Sequence, residues 1–218
     1  MHDRRLIRTS GKIFLCLALL SATPLFAKSL TVDELRKIQS KMKAYDSLSV
    51  DFVQTRYTDL RHKSTHREGR ALFAKPNLFR WMLETPKREY KIFDGKSFYD
   101  YDPEGNTAKR FATNDQQSHE LNQMIDLILN FDSLLKRYDV VKADEDGDLI
   151  KVQLKPKVAG DVSSIELHFA QKEQFVSYLK MVLKNKNSLT HEFKNPAHAA
   201  IPEATFALPK GVKATDNN

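Results

Sequence analysis

The sequence predicts a mainly β protein of the α+β class, in which short antiparallel strands form a sheet that curls on itself. Three observations support this prediction. Polar and apolar residues alternate with period two in many short segments, turn residues separate these segments at even spacing, and helical periodicity is confined to two places. Internal repeats and low-complexity linkers are lacking, so we expect a single domain over 28–218.

Residues 1–27 have the order of a secretory signal peptide. Four basic residues precede an apolar run over 13–20, and small residues with a proline follow up to Ala27. A helix of eight apolar residues is only about 12 Å long, too short for a hydrocarbon core of about 30 Å. We therefore expect cleavage after Ala27 and export, which removes Cys16, the sole cysteine of the chain.

The first element of the mature chain is a predicted helix that begins near Thr31. Thr31 and Glu34 have the spacing of a capping box, and Leu35, Ile38 and Met42 follow at helical spacing. Because the apolar stripe is narrow and lies between basic residues, we expect this helix to pack on a larger element.

A first group of strands follows this helix. Asp94-Gly95 favours a tight hairpin turn, and prolines mark several other strand ends. The alternation predicts strands over 48–57, 68–73, 78–84, 89–93 and 97–101.

A second helical segment, over 118–136, separates the two groups of strands. Its apolar residues cover more than one side of a helix, so this segment has apolar surface to bury in more than one direction. Further strands are predicted over 138–141, 149–154, 164–169, 175–182, 188–193 and 205–208.

Motifs for catalysis or cofactor binding are not recognisable in the sequence. The seven glycines are too far apart for a phosphate-binding loop, and the H-E-x-x-H and G-x-S-x-G patterns are missing. The mature chain has no cysteine nucleophile. We therefore expect no enzyme activity and no cofactor, while a hydrolase with a dispersed triad stays open as an alternative.

Two clusters of possible metal ligands have simpler interpretations. His62 and His66 lie among basic residues in a predicted loop, where neighbouring cations repel a divalent ion. The acidic residues over 144–148 lack the terminal bidentate Glu of a calcium loop. We interpret them as a hairpin turn at Asp146-Gly147, and we expect no metal site.

Basic side chains are concentrated around the same predicted loop. Nucleic acid is not an expected partner of an exported protein. We favour a solvated edge that discourages strand pairing, and a surface for anionic lipid headgroups or an acidic partner stays open. The side chains concerned are Arg56, Arg61, Lys63, Arg67 and Arg70.

Several motifs occur in a characteristic order along the chain. Phe-Val-Gln at 52–54 precedes Lys-Pro-Asn-Leu-Phe-Arg-Trp at 75–81, Asp-Gly-Lys at 94–96 and Tyr-Asp-Pro at 101–103. Together with Thr-Phe-Ala-Leu-Pro-Lys-Gly-Val at 205–212, this order closely resembles the LolA family, the periplasmic carriers of outer-membrane lipoproteins. The resemblance spans nearly the whole mature chain.

The resemblance implies an incomplete antiparallel β-barrel that encloses an apolar cavity and is covered by a helical lid. It implies a monomeric periplasmic chaperone that binds the acyl chains of lipoproteins and shuttles them from the inner to the outer membrane. The implied partners are acylated lipoproteins, an inner-membrane lipoprotein-releasing ABC transporter and an outer-membrane receptor. A periplasmic lipid-binding or sensing module with a different ligand is the alternative.

The implied fold also indicates which residues form the site. Lys75 stands where the family commonly has an arginine that controls the lid, and a lysine lacks the planar five-donor guanidinium. The expected inner face of the lid consists of Met124, Ile125 and Ile128. The expected cavity is lined by Phe52, Phe73, Phe79, Trp81, Leu83 and Ile92.

Overall fold

Thirteen strands form one open sheet in the computed structural model, which describes residues 28–41, 45–75, 77–112 and 131–216. The predicted signal peptide and the predicted lid residues Met124, Ile125 and Ile128 lie outside the described residues. The elements are β1 (Lys28–Ser29), α1 (Val32–Lys41), β2 (Ser47–Thr58), β3 (Lys63–Ala74), β4 (Leu78–Leu83), β5 (Glu89–Phe93), β6 (Phe98–Asp102), β7 (Thr107–Phe111), α2 (Phe131–Arg137), β8 (Tyr138–Asp146), β9 (Leu149–Pro156), β10 (Val162–Ala170), β11 (Phe175–Leu183), β12 (Ser188–Ala197) and β13 (Lys213–Asp216).

Two antiparallel meanders make up most of the sheet. The strand order is β1-β8-β9-β10-β11-β12-β2-β3-β4-β5-β6-β7-β13, so the pairing of β12 with β2 joins the meander β8–β12 to the meander β2–β7. The mainly β prediction is confirmed, and the sheet is open, with β1 and β13 at its two edges. The expectation of antiparallel pairing throughout is wrong at one place, because β13 runs parallel to β7.

The predicted loop around His62 and His66 is mostly strand. Strands β2 and β3 form a long hairpin that turns through a 3₁₀ segment, Asp59–Arg61, and through His62 in the left-handed conformation with φ 47°. Residues 63–68 pair with β2 in register from Thr58↔Lys63 onward. Their exposed polar side chains do not prevent this, because the ladder is formed by backbone groups.

The C-terminal segment also differs from the prediction. The strand expected over 205–208 is instead a 3₁₀ segment, Glu203–Phe206, and the last strand is β13. Strand β7 was not predicted, since its sequence, Thr-Ala-Lys-Arg-Phe, carries few apolar residues. By contrast, the hairpin turn expected at Asp146-Gly147 is confirmed, with Gly147 at φ 61° between β8 and β9.

Helix α1 begins with the predicted capping box. The Thr31 backbone N–H donates to Glu34 Oε2 at 2.9 Å, and the Glu34 N–H donates to Thr31 Oγ1 at 3.2 Å. The backbone hydrogen bond from Thr31 and the bond from the Lys28 ammonium lower the pKa of Glu34 to about 2. The cap therefore holds an ionised carboxylate at the positive end of the helix.

Most of the hydrophobic core lies against one side of the sheet, here called the aromatic face, which carries Phe52, Trp81 and Phe193. One continuous cluster spreads over this face from β8 to β7 and includes Leu35 of α1 and Leu134 of α2. Both helices thus contribute apolar side chains to the core of the sheet, as expected for α1.

The other side of the sheet, here called the opposite face, carries a separate small cluster. Ile92, Tyr101 and Ala108 are buried there beneath Leu208 and Val212 of the C-terminal segment. The Arg80 guanidinium helps to hold this segment, because its Nη1 donates to the Thr205 carbonyl at 2.7 Å.

Candidate functional site

The aromatic face is built by strand alternation and register. Side chains two residues apart point to the same side of a strand, so Phe52 and Gln54 of β2 share a face. Phe52 lies opposite Phe193 of β12 on one side and Gly69 of β3 on the other. Trp81 of β4 then lies opposite Ala71. The order of the strands thereby brings residues distant in sequence onto one surface.

Stacked and perpendicular rings form the centre of this face. The Phe52 and Trp81 rings stack with centroids 4.0 Å apart, and Phe193 meets the Trp81 ring edge-on at 6.1 Å. Phe79 lies 6.1 Å from Trp81, and Phe73 lies 5.6 Å from Phe79. Offset and edge-to-face arrangements at these distances are favourable aromatic contacts. The five rings provide a contiguous apolar surface.

Gly69 makes room for the Phe52 ring. A Cβ atom at this position would lie 2.6 Å from Phe52 Cζ and 2.0 Å from the Met82 carbonyl oxygen. Both distances are far below van der Waals contact, and the Met82 oxygen belongs to the backbone of the paired strand. Glycine is therefore required at position 69, where the Phe52 ring lies over strand β3.

A histidine lies within this aromatic group. His191 of β12 is only 3% exposed and is the register partner of Gln54. Its ring lies perpendicular to Trp81 at 5.1 Å and stacks near Phe193 at 5.9 Å. Its Nδ1 atom is buried and has no hydrogen-bond partner. Burial lowers the pKa of His191 to about 4, so the imidazole is neutral at pH 7.

Five of the six predicted cavity residues lie on the aromatic face. They share the large cluster and are at most 5% exposed: Phe52, Phe73, Phe79, Trp81 and Leu83. Ile92 is equally buried, but its register partner is Arg80, so it belongs to the cluster of the opposite face. Its neighbour Phe93 pairs with Phe79 and holds the place on the aromatic face that the prediction gave to Ile92.

His191 and Phe193 were not among the predicted site residues. Leu189, His191 and Phe193 are spaced two residues apart along β12, and this spacing is the signal that could have placed them on one face. The pairing of β12 with β2, which brings them to Phe52, joins segments more than a hundred residues apart and has no local signature.

Lys75 lies at the end of β3, beside a cleft of about 480 Å³. Its Nζ is 3.4 Å from Asp46 Oδ1, and both side chains are well exposed. Leu78 and Ile201 contribute apolar surface to the cleft, and Asp94 and Lys96 lie at its rim. The cleft is thus at the end of the sheet where β2 begins, and its lining does not include the aromatic rings.

The two histidines considered as metal ligands contact strand β2. His62 Nδ1 lies 3.3 Å from Tyr57 Oη, and His66 Nδ1 lies 3.0 Å from Thr55 Oγ1. Within the described ranges, no group of three His, Cys, Asp or Glu side chains is arranged to hold a metal ion. Each histidine thus has a hydrogen-bonding role within the β2–β3 hairpin.

The basic cluster lies only partly at the edge of the same hairpin, because Arg56 and Arg70 have strand partners on both sides. Ladder pairing between β3 and β4 begins at Gly69, so residues 63–67 of β3 have a strand partner only in β2 within the described part of the chain. Arg67 pairs with Glu89 at 3.0 Å and Arg70 with Asp51 at 2.7 Å. The interpretation of a solvated edge that discourages strand pairing can therefore apply only to the residues before Gly69 in β3, and it stays a prediction there.

Helices long and apolar enough to cross a membrane are not found among the described residues.

Comparison with known families identifies the chain. The family model described as "Outer membrane lipoprotein carrier protein LolA" matches residues 43–209, which include both meanders of the sheet. The chain belongs to the LolA family. The match therefore confirms the resemblance that the ordered motifs indicated.

Curated relatives of this LolA-family chain bear the same description. An outer-membrane lipoprotein carrier protein of Xanthomonas oryzae pv. oryzae is 32% identical over 145 residues, which cover 65% of this chain and 67% of the relative. One of Histophilus somni is 27% identical over 183 residues, covering 83% and 86% respectively. A solved structure of an uncharacterized conserved protein from Thermus thermophilus covers 85% of this chain and 98% of its own, with a TM-score of 0.55 and 11% identity. That likeness concerns the fold.

Proposed function

We propose that this protein is a periplasmic carrier that binds the acyl chains of lipoproteins against the aromatic face and shuttles them from the inner to the outer membrane. The observation that carries the proposal is the contiguous ring surface of Phe52, Trp81 and their neighbours, in a chain of the LolA family. The curated relatives are described as outer-membrane lipoprotein carriers, which supports the same role here.

The energetics of transport require binding that is strong in water yet reversible. Burying an acyl chain of about sixteen carbons at about 0.8 kcal/mol per methylene contributes roughly 13 kcal/mol before any cost is subtracted. The rings of the aromatic face are almost completely covered, and Leu30, Leu35 and Leu134 pack in the same cluster. Displacing such contacts offsets part of the gain and leaves an affinity low enough for onward transfer.

Helical segments are the proposed cover of the site. Leu35 of α1 and Leu134 of α2 support this proposal, because each packs in the cluster of the aromatic face. The role of Met124, Ile125 and Ile128 as the inner face of a lid stays a prediction, as does the control of that lid by Lys75. The proposal involves no chemical step and no cofactor.

The proposed partners follow from the route of the cargo. A carrier between two membranes receives acylated lipoproteins from an inner-membrane releasing complex and delivers them to an outer-membrane receptor. The periplasmic location rests on the predicted signal peptide over 1–27 together with the description of the relatives.

A charge on the aromatic face tests the proposal. The Trp81→Glu variant places a carboxylate among apolar rings, so we expect transfer of a lipoprotein between inner- and outer-membrane vesicles to fall at least tenfold. Val141→Glu is the matched control, because Val141 is 64% exposed and the same charge there leaves the face intact. Wild-type transfer rates from a folded Trp81→Glu protein would refute the assignment.

A further inference from the structure

Two polar side chains are buried on the aromatic face. Among the described residues, three polar side chains are buried: Ser47, Gln54 and His191. Ser47 has a structural partner, since its Oγ donates to the Ala199 carbonyl at 2.7 Å. Gln54 and His191 are register partners in the central strands β2 and β12 and lie beside the stacked rings of Phe52 and Trp81.

The imidazole of His191 has an unmet hydrogen-bonding requirement. Its Nδ1 is buried without a partner, and the groups around it are the rings of Phe52, Trp81 and Phe193. A buried polar atom without a partner destabilises the fold, and a phenylalanine would fill a similar volume without this penalty. An unpaired polar atom of this kind calls for an explanation, and a ligand atom that bonds to it is one that also fits the position of His191 among the rings.

The chemistry of the two side chains indicates which ligand group would complete the site. Because desolvation keeps the imidazole neutral, it carries one N–H donor, and the Gln54 carboxamide can add a second donor. A carbonyl oxygen accepts hydrogen bonds and donates none, so it matches both groups. A saturated hydrocarbon segment matches neither of them.

We propose that His191 and Gln54 form a polar subsite that binds the carbonyl oxygen of an ester- or amide-linked acyl chain. This inference rests on the proposed function and adds to it the position of the chain's head end. From Gln54, the aromatic face continues along β2 to Leu48, six residues and about 20 Å away at about 3.4 Å per residue. The subsite thus gives the acyl chain a direction, with its alkyl part along Phe52, Phe79 and Phe73.

The only tryptophan of the chain makes the inference measurable. Trp81 stacks on Phe52 and lies 5.1 Å from His191, so its fluorescence responds to a ligand that enters the site. We suggest titrating the protein with methyl dodecanoate and with n-pentadecane, which have equal numbers of non-hydrogen atoms. The alkane gains more from burial because it has two more carbons, so the informative quantity is the ratio of alkane Kd to ester Kd. One hydrogen bond of about 1.4 kcal/mol makes this ratio tenfold higher in the wild type than in a variant that lacks the donor.

The His191→Phe and Gln54→Leu variants separate the polar subsite from the apolar surface. We expect His191→Phe to lower the ratio of alkane Kd to ester Kd about tenfold while alkane binding is retained, and Gln54→Leu to lower it in part. The infrared carbonyl stretch of bound ester should lie at lower frequency in the wild type than in His191→Phe. Equal ester preference in the wild type and a folded His191→Phe protein would overturn the subsite alone. Failure of both probes to alter wild-type Trp81 fluorescence would overturn the carrier proposal as well.

Discussion

Acidification should destabilise the folded protein through His191. The imidazole is buried among Phe52, Trp81 and Phe193, with the neutral Gln54 as its register partner, and burial is the cause of its lowered pKa. Protonation would therefore create a charge without a counter-ion in an apolar environment. We predict that stability falls between pH 6.5 and pH 4 in the wild type and falls much less in His191→Phe.

The magnitude follows from the difference between the folded and unfolded pKa values. Burial lowers the pKa of His191 from 6.5 to about 4, and each pKa unit corresponds to about 1.4 kcal/mol. At a pH between these two pKa values the unfolded chain binds more protons than the folded chain, so the free energy of unfolding decreases as the pH falls. The loss should be complete near pH 4 and amount to about 3 kcal/mol.

Urea unfolding at pH 7, 6, 5 and 4 measures this contribution. The free energy of unfolding should be compared between the wild type and His191→Phe at each pH, because acidic residues such as Glu34 and Asp51 also bind protons more weakly in the folded state. Their contribution is common to both proteins and cancels in the difference. Parallel stability curves for the two proteins from pH 7 to pH 4 would refute the reasoning.

Two further changes test the packing of the sheet. Gly69→Ala should lower the free energy of unfolding in urea by about 3 kcal/mol or more, because its Cβ would lie 2.0 Å from the Met82 oxygen. Gly160→Ala is the control and should change this free energy little, because the space around Gly160 is open. Equal effects of the two substitutions would contradict the role of Gly69. Arg80→Met should keep an apolar side chain at this position but lose the hydrogen bond to the Thr205 carbonyl. Amide hydrogen exchange over 201–212 should then be at least about tenfold faster than in the wild type. Unchanged exchange would show that Arg80 does not hold the C-terminal segment.

Strands with clear alternation could be predicted from the sequence, and those without it could not. The prediction for 89–93 agrees with β5, and that for 78–84 agrees with β4 to one residue. Both strands bury large side chains, which produce the pattern. Strand β13 and the first half of β3 have exposed side chains and are held by backbone pairing, so their sequences show no periodic signal.

Site residues could be predicted only within a single strand, where the spacing of side chains along the sequence determines which face they share. Phe79 and Trp81 share a face because they are two residues apart, and the structure places them there. Ile92 was assigned to the same face, but the register Arg80↔Ile92 puts it on the opposite one. Such a register depends on turn geometry and on partner strands. The same holds for the contact of His191 with Trp81, whose strands β12 and β4 are separated by β2 and β3.

The central claim is that the aromatic face binds the acyl chains of lipoproteins. Native mass spectrometry of the protein isolated from the periplasm measures this directly, because it reports the mass of whatever is retained. The account predicts complexes with triacylated or diacylated lipoproteins in the wild type and their loss in Trp81→Glu, with retention in Val141→Glu. Free lipids as the sole bound species, or an identical lipoprotein complement in Trp81→Glu, would contradict it.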